Sequence, residues 1–269
     1  MQGLLTVLLV LGPIAALPCW AQAADSEESP RYVLGLAASA APEYDGATRR
    51  ELKLRPVLAF RLGRVRIASA GGSSLLGFGR QVAGAGASTE LLAGEDWQVG
   101  AALRLDNGRD SADADATRGL PDVKRTLRVR IYANYSLTKD WQLDGWWSQD
   151  ALGRGGGWLA GADLGWRFHR SADAEWSASL AVTAASALNM RSHFGVPVSA
   201  VERSGLPAYV PGMGVRDASL SVGVKRALGP HWLVFGSVGV RRLLGPAADS
   251  PWVQQPGSHQ VNLGVAWRR

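Results

Sequence analysis

From residue 31 onward, apolar side chains alternate with polar or small ones in runs of about 7 to 12 residues, the period of strands with two unlike faces. Near the C-terminus, Val261, Leu263, Val265 and Trp267 share one face, while Gln260, Asn262, Gly264 and Ala266 share the other. Leu127, Val129, Ile131, Ala133, Tyr135 and Leu137 likewise oppose Thr126, Arg128, Arg130, Tyr132, Asn134 and Ser136. The pattern predicts twelve strands, at 32–40, 51–61, 64–70, 86–92, 97–105, 125–137, 140–149, 157–168, 175–185, 217–227, 231–242 and 259–268, with ten as the alternative count. No segment repeats convincingly at the helical period. Each ribbon therefore has one oily face and one polar or charged face.

Such ribbons suit a soluble sandwich, whose oily faces pack together, or a membrane barrel, whose oily faces meet lipid around a polar lumen. The connections separate the two. Those after odd-numbered strands are long: 41–50, 71–85, 106–124, 150–156, 187–215 and 243–257. Those after even-numbered strands are tight: Leu62-Gly63, Gly94-Glu95-Asp96, Thr138-Lys139, 169–174 and Gly229-Pro230. Long loops at one end, tight turns at the other and an even strand number describe an outer-membrane barrel, and a sandwich has no reason to sort its loops this way. Trp97, Trp141, Trp176 and Trp232 stand at or near strand starts that follow tight turns, and Trp267 ends a strand running back to that rim. Interfacial aromatics gather at such rims, because an amphipathic ring prefers the headgroup zone. The expected fold class is an all-β, transmembrane, antiparallel up-and-down barrel in the outer membrane of a Gram-negative cell.

Composition agrees: 33 of 269 residues are Gly and 11 are Trp, against 3 Met, a mix suited to strands and turns. A mean hydropathy of -0.02 is too low for a bundle of membrane helices. The net charge of +6 raises the question of nucleic acid. The arginines are spread singly along apolar segments, with no packed basic face or zinc spacing, so lipid is the expected partner and nucleic acid is not. Leu4–Leu17 is an apolar run followed by Ala21-Gln22-Ala23, which reads as a secretory signal peptide over 1–23. A short segment, 24–31, then leads into the barrel, 32–269. Cleavage after Ala23 removes Cys19 and leaves a mature chain without cysteine.

In a barrel of twelve strands, Lys53, Arg55, Arg61, Arg66, Arg104, Arg128, Arg130, Arg167 and Lys225 are expected to face the lumen, with Glu51, Asp144 and Asp163 as counter-charges. That set supports either an interlocked ion-pair network filling the barrel or an anion-favouring passage. The long 187–215 segment has the length to fold inward as a constriction. Catalysis is not expected. His169 and His231 fall in turns, His193 and His259 lie in or beside loops, and neither Ser192-His193 nor Ser258-His259 with Asp249 carries a recognisable nucleophile motif. No short-spaced ligand group suggests a metal, and no cofactor is expected.

Several stretches resemble the MipA/OmpV outer-membrane family. They are the strand Tyr32–Ala40 followed by Pro42-Glu43-Tyr44-Asp45-Gly46, the Leu54-Arg55-Pro56 strand, Gly108-Arg109-Asp110, Phe194-Gly195-Val196, and the run from Leu243 to Asp249-Ser250-Pro251. Their order covers nearly the whole mature chain. The resemblance implies an outer-membrane barrel and, for one branch, a scaffold joining a murein synthase to a lytic transglycosylase; other branches are porin-like or adhesin-like. The expected function is a non-catalytic scaffold for peptidoglycan synthesis and remodelling enzymes, with a small-solute, porin-like channel as the alternative. One departure concerns assembly: Trp267 is followed by Arg268 and Arg269, where outer-membrane chains commonly close on an aromatic residue.

Overall fold

The computed structural model describes residues 31–69, 75 and 85–269. The signal peptide expected at 1–23, and the following segment up to residue 30, lie outside the described residues. Twelve strands form one closed antiparallel barrel: β1 (Tyr32–Pro42), β2 (Arg50–Leu62), β3 (Val65–Ala68), β4 (Gly86–Ala93), β5 (Trp97–Asp106), β6 (Thr126–Ser136), β7 (Trp141–Asp150), β8 (Trp158–Arg170), β9 (Ala174–Ala185), β10 (Gly214–Ala227), β11 (Trp232–Leu243) and β12 (Gly257–Arg268). Each strand pairs with its sequence neighbours, and β1 closes the ring on β12 from Val33 opposite Arg268 to Ala40 opposite Val261. The tight turns and both strand ends of the closing seam share one end, the periplasmic one by the usual arrangement of such barrels.

The alternation read from the sequence becomes a difference between the two sides of the wall. Leu36, Ile131, Leu180, Val238 and Leu263 are all more than half exposed on the outer side, an apolar belt that only lipid can cover favourably. Val57, Ala59, Ala102, Arg104, Arg128, Arg130 and Asp144 are buried on the inner side. Inward aromatic rings lie flat over glycines of the next strand: a Cβ on Gly100 would sit 2.3 Å from the Tyr132 hydroxyl, and one on Gly161 would sit 2.5 Å from the Trp146 ring. Glycine here makes room for large rings inside the wall. Bulges between Glu90 and Leu92, Arg167 and His169, and Val215 and Asp217 shift the register locally. The last of these lets β10 begin at Gly214, earlier than strict alternation predicts.

The interior is uneven. On the β1, β2, β11 and β12 side, Val33, Val57, Ala59, Leu233 and Ala266 form a buried apolar cluster, and Leu75 from the β3–β4 connection packs into it. The opposite side carries most of the buried charge. Three short helices, α1 (Ala187–Phe194), α2 (Val201–Ser204) and α3 (Gly245–Ala248), lie within long connections. They are one or two turns long, too short to repeat an apolar stripe. Among the described residues, no helix is long and apolar enough to cross a membrane, and the strands form the wall.

Depth should govern the cost of a charge on the outer face. Ile131→Arg, midway along β6, is expected to destabilise the barrel by about 2–4 kcal/mol, whereas Leu228→Arg in the β10–β11 turn should cost about 0–1 kcal/mol. Denaturant unfolding of the protein in lipid vesicles measures both, and equal costs would contradict a lipid-facing belt.

Candidate functional site

Charged side chains inside the wall are largely matched across neighbouring strands. Arg128 Nε donates to Asp106 at 2.7 Å, Arg167 approaches Glu175 at 3.3 Å, and Lys225 reaches the same carboxylate at 3.1 Å. Arg66 lies 3.7 Å from Glu90, and Lys53 pairs with Glu51 at 2.7 Å. Arg130 stacks its guanidinium on Trp146, 3.9 Å from the ring centre, and the Trp146 indole donates to Asp163 at 3.1 Å. Asp144 accepts from Asn134 and from Gln142. Arg55 and Arg61 share the β2 face of Val57 and Ala59 and are exposed. Arg104, buried like Arg128 and Arg130, completes an arginine band on β5 and β6. Of the counter-charges, Asp106, Glu90 and Glu175 were not singled out from the sequence, because pairing partners depend on a register that alternation does not give.

The external mouth carries a second core built from loops. Buried Leu120, Met190, Phe194, Val196, Ala200, Ala247 and Trp252 come from three different connections, and they pack against Ala185 and Leu243 at the external ends of β9 and β11. Trp252 is the centre of this cap. Phe194 stacks on it with centroids 5.6 Å apart, Tyr44 tilts against it at 5.5 Å, and the Arg109 guanidinium lies 5.0 Å from its ring centre. Polar bonds hold the remaining pieces in place. Ser250 Oγ donates to the Phe194 carbonyl at 2.6 Å, Arg109 Nη1 donates to the His193 carbonyl at 2.8 Å, and Tyr209 Oη donates to the Pro246 carbonyl at 2.8 Å. Ser186 caps α1 by accepting from the Asn189 N–H at 3.2 Å. Asn189 then donates to the Gly156 carbonyl, which also accepts from Arg128. Arg128 thus joins the lumen to the cap.

The resemblance motifs converge here. Pro42 ends β1. Tyr44 and Gly46 follow, and Gly46, at φ +100°, turns its carbonyl toward the N–H groups of Gln254 and Gln255, a backbone conformation that a side chain would oppose. Gly108 makes the turn that sends Arg109 toward Trp252, and Gly195 ends α1 behind Phe194. In the last motif Ser250 is buried and bonded, while Asp249 is exposed and Pro251 half-buried. Residues separated by more than two hundred positions meet in one core, so these motifs act as packing elements. Trp252, which joins them, was not singled out from the sequence. A lone loop tryptophan gives no periodic signal.

At the opposite rim, Trp97, Trp141, Trp176 and Trp232 are each more than a third exposed. Trp141 stacks on Trp166 at 5.3 Å, and Trp267 lies 5.4 Å from Tyr32. His169 lies within β8 rather than in the turn after it, while His193 lies in α1 within the β9–β10 connection and His259 near the start of β12, beside its loop. Among the described residues no group of three His, Cys, Asp or Glu side chains is placed to hold a metal. His193, half-buried beneath the cap, has its pKa lowered from 6.5 to about 4, first by burial and then by Arg216, Arg109 and Arg128, against the opposing pull of Asp106.

The model of a protein family described as MltA-interacting protein MipA matches residues 34–269. A comparison with curated proteins found no match. Among solved structures the chain is similar to a KdgM porin in complex with disordered oligogalacturonate, at 10% identity over 87% of this chain and 98% of that one, with a TM-score of 0.43. It is also similar to the NanC porin, at 8% identity over 88% and 100% with a TM-score of 0.45. An outer membrane channel from Pseudomonas putida F1 is 12% identical over 92% and 100%, again with a TM-score of 0.45.

Two outcomes test the cap. Trp252→Ala should remove about 3–5 kcal/mol of local packing and leave the barrel folded, seen as faster amide exchange across 187–213 with unchanged strand protection. Protection lost equally in both would contradict a separate cap. Because the lowered His193 pKa makes the opened cap bind more protons, closure should be fully stable above about pH 6.5 and weaken as the pH falls toward 4. Limited proteolysis of the 187–213 segment at pH 7.5 and pH 5 checks this, and His193→Gln should abolish the difference.

Proposed function

The chain belongs to the family of the MltA-interacting protein MipA, and from that premise we propose that it is a non-catalytic outer-membrane scaffold, holding a lytic transglycosylase and a murein synthase at the periplasmic face. The observation that carries this reading is the cap. Connections from β1–β2, β5–β6, β9–β10 and β11–β12 pack into one buried core across the external mouth, with the β7–β8 connection bonded to it. A mouth covered by packed loops, above a lumen whose charges are largely matched by neighbours, suits a rigid body better than an open pore. The periplasmic turns are only a few residues each, so docking there buries little area and belongs to the weak, transient class below about 1,200 Å². The scaffold therefore concentrates its clients by many short-lived contacts.

The alternative, a small-solute channel, draws on one observation: Arg104, Arg128 and Arg130 form a buried basic band on β5 and β6. A positive band inside a barrel favours anions if a path beside it is open.

The only cysteine, Cys19, lies in the expected signal peptide, which makes single-cysteine crosslinking direct. Variants Arg64→Cys, Lys139→Cys and Ala172→Cys in the periplasmic turns should crosslink to a purified lytic transglycosylase, whereas Gln254→Cys in the cap should not. Crosslinking at neither end, together with steady single-channel currents from the reconstituted protein, would overturn the scaffold in favour of the channel.

A further inference from the structure

Three external connections leave a cavity between them. Its volume is about 220 Å³, below the ~300–1,000 Å³ of sites for drug-sized ligands, which leaves room for one small unit. The β5–β6 connection supplies Arg109, Pro121 and Asp122, the β7–β8 connection Arg154, and the β9–β10 connection Arg191 and Tyr209. Each wall is held in place. Arg109 and Val123 exchange backbone N–H to carbonyl bonds at 2.9 and 2.8 Å, and Val196 and Tyr209 exchange a second pair at 2.9 Å. Ser192 Oγ donates to the Gly155 carbonyl at 2.7 Å, which ties α1 to the β7–β8 connection. The cavity is therefore preformed, as small-molecule sites usually are.

The charge around it is one-sided. The guanidiniums of Arg109, Arg154 and Arg191 line the cavity against a single carboxylate, Asp122, among the described residues. That carboxylate is already engaged: its Oδ1 accepts from the Ser111 N–H at 2.9 Å and from the Ser111 hydroxyl at 2.7 Å. Arg109 donates Nη1 to the His193 carbonyl at 2.8 Å and Nη2 to the Pro121 carbonyl at 3.2 Å, neutral acceptors that fix it without cancelling its charge. Burial pushes its pKa below the usual arginine value, against the opposing pull of Asp122. Arg154 and Arg191 are exposed, and neither makes an ion pair among the described residues. Arg154 gives Nη1 to the Arg125 carbonyl at 2.7 Å and keeps its other donors.

Much of the other lining is apolar, from Pro121, Val123, Pro197 and Val210. Tyr209 commits its hydroxyl to the Pro246 carbonyl, so it offers the cavity its ring. Such a surface suits the C–H face of a sugar, while guanidiniums suit a group that accepts paired N–H bonds. An excess of two positive charges matches a phosphate monoester, which carries about −1.5 to −2 at neutral pH.

We propose that this cavity of the external cap binds a phosphate monoester carried on a sugar, with Arg154 and Arg191 donating to its oxygens and Arg109 supplying a fixed charge. The site goes beyond the scaffold reading and does not depend on it. Two sources bring that chemistry to the external face, the phosphorylated core sugars of lipopolysaccharide and a free sugar phosphate.

Titration calorimetry of the purified protein in neutral detergent micelles tests this with glucose 6-phosphate, glucose, glucuronate and a phosphorylated lipopolysaccharide core oligosaccharide. Glucose 6-phosphate should bind at least tenfold more tightly than glucose or glucuronate, and more weakly as salt rises. The Arg154→Gln, Arg191→Gln double variant should lose about 100-fold, roughly tenfold for each charge-assisted contact. Asp122→Asn should tighten binding, and Arg118→Gln, which changes an arginine outside the lining, should leave it as it was. Unchanged strand content in the variants separates lost binding from lost folding. Tighter binding of the oligosaccharide than of glucose 6-phosphate supports the site with the surrounding leaflet as its source, and the reverse order supports it with a free solute. Glucose 6-phosphate binding no more tightly than glucose, equal binding of glucuronate, or undiminished binding in the double variant would overturn the proposal.

Discussion

The hydrogen-bonded closure of β1 on β12 is the constraint from which the rest follows. Inside a hydrocarbon layer each unpaired N–H or C=O costs several kcal/mol, so a sheet can enter lipid only without a free edge. Closure also fixes which side of every strand is which. Once the ring forms, outward positions must be apolar and inward positions inherit whatever charge the sequence holds. The belt of leucine and valine outside and the paired arginines inside are two consequences of one topological fact.

Enclosing charge creates its own demand, which neighbouring strands meet. Arg128 is the clearest case: it pairs with Asp106 across the β5–β6 ladder and spends its remaining donors on the carbonyls of Gly156 and Gly157 in an external loop. Buried ion pairs seldom add much net stability, but removing one partner leaves a costly orphan. Such pairs therefore specify geometry, and here they tie the wall to the cap. The cap in turn buries an aromatic cluster that the loops could not bury separately, since each is too short to make a core.

Much of the fold was legible in the sequence because both environments of a membrane barrel write themselves at period two. The β6 pattern from Leu127 to Ser136 needed no other information, and the sorting of tight and long connections supplied the topology. What was illegible is what depends on contacts between distant segments. Met190 and Phe194 of α1 are buried only because Leu120, Leu243 and Trp252 converge on them, and eight residues hold too little periodicity to reveal a helix. Tyr44, Gly46, Arg109, Phe194 and Ser250 could be singled out by resemblance, whereas their shared role required the ring that brings their loops together. The ion-pair partners Glu175 and Asp106 were hidden for a related reason: which inward acid meets which inward base is set by strand stagger.

The oily face of every ribbon meets lipid while the polar face is enclosed by a closed wall. Gel mobility of the membrane-extracted protein in dodecyl sulfate, with and without boiling, addresses it directly. A closed barrel should resist the detergent unheated and run as a compact, fast band, shifting to the slower position of the unfolded chain on boiling. A single unshifted band from protein that is freely soluble without detergent would contradict it.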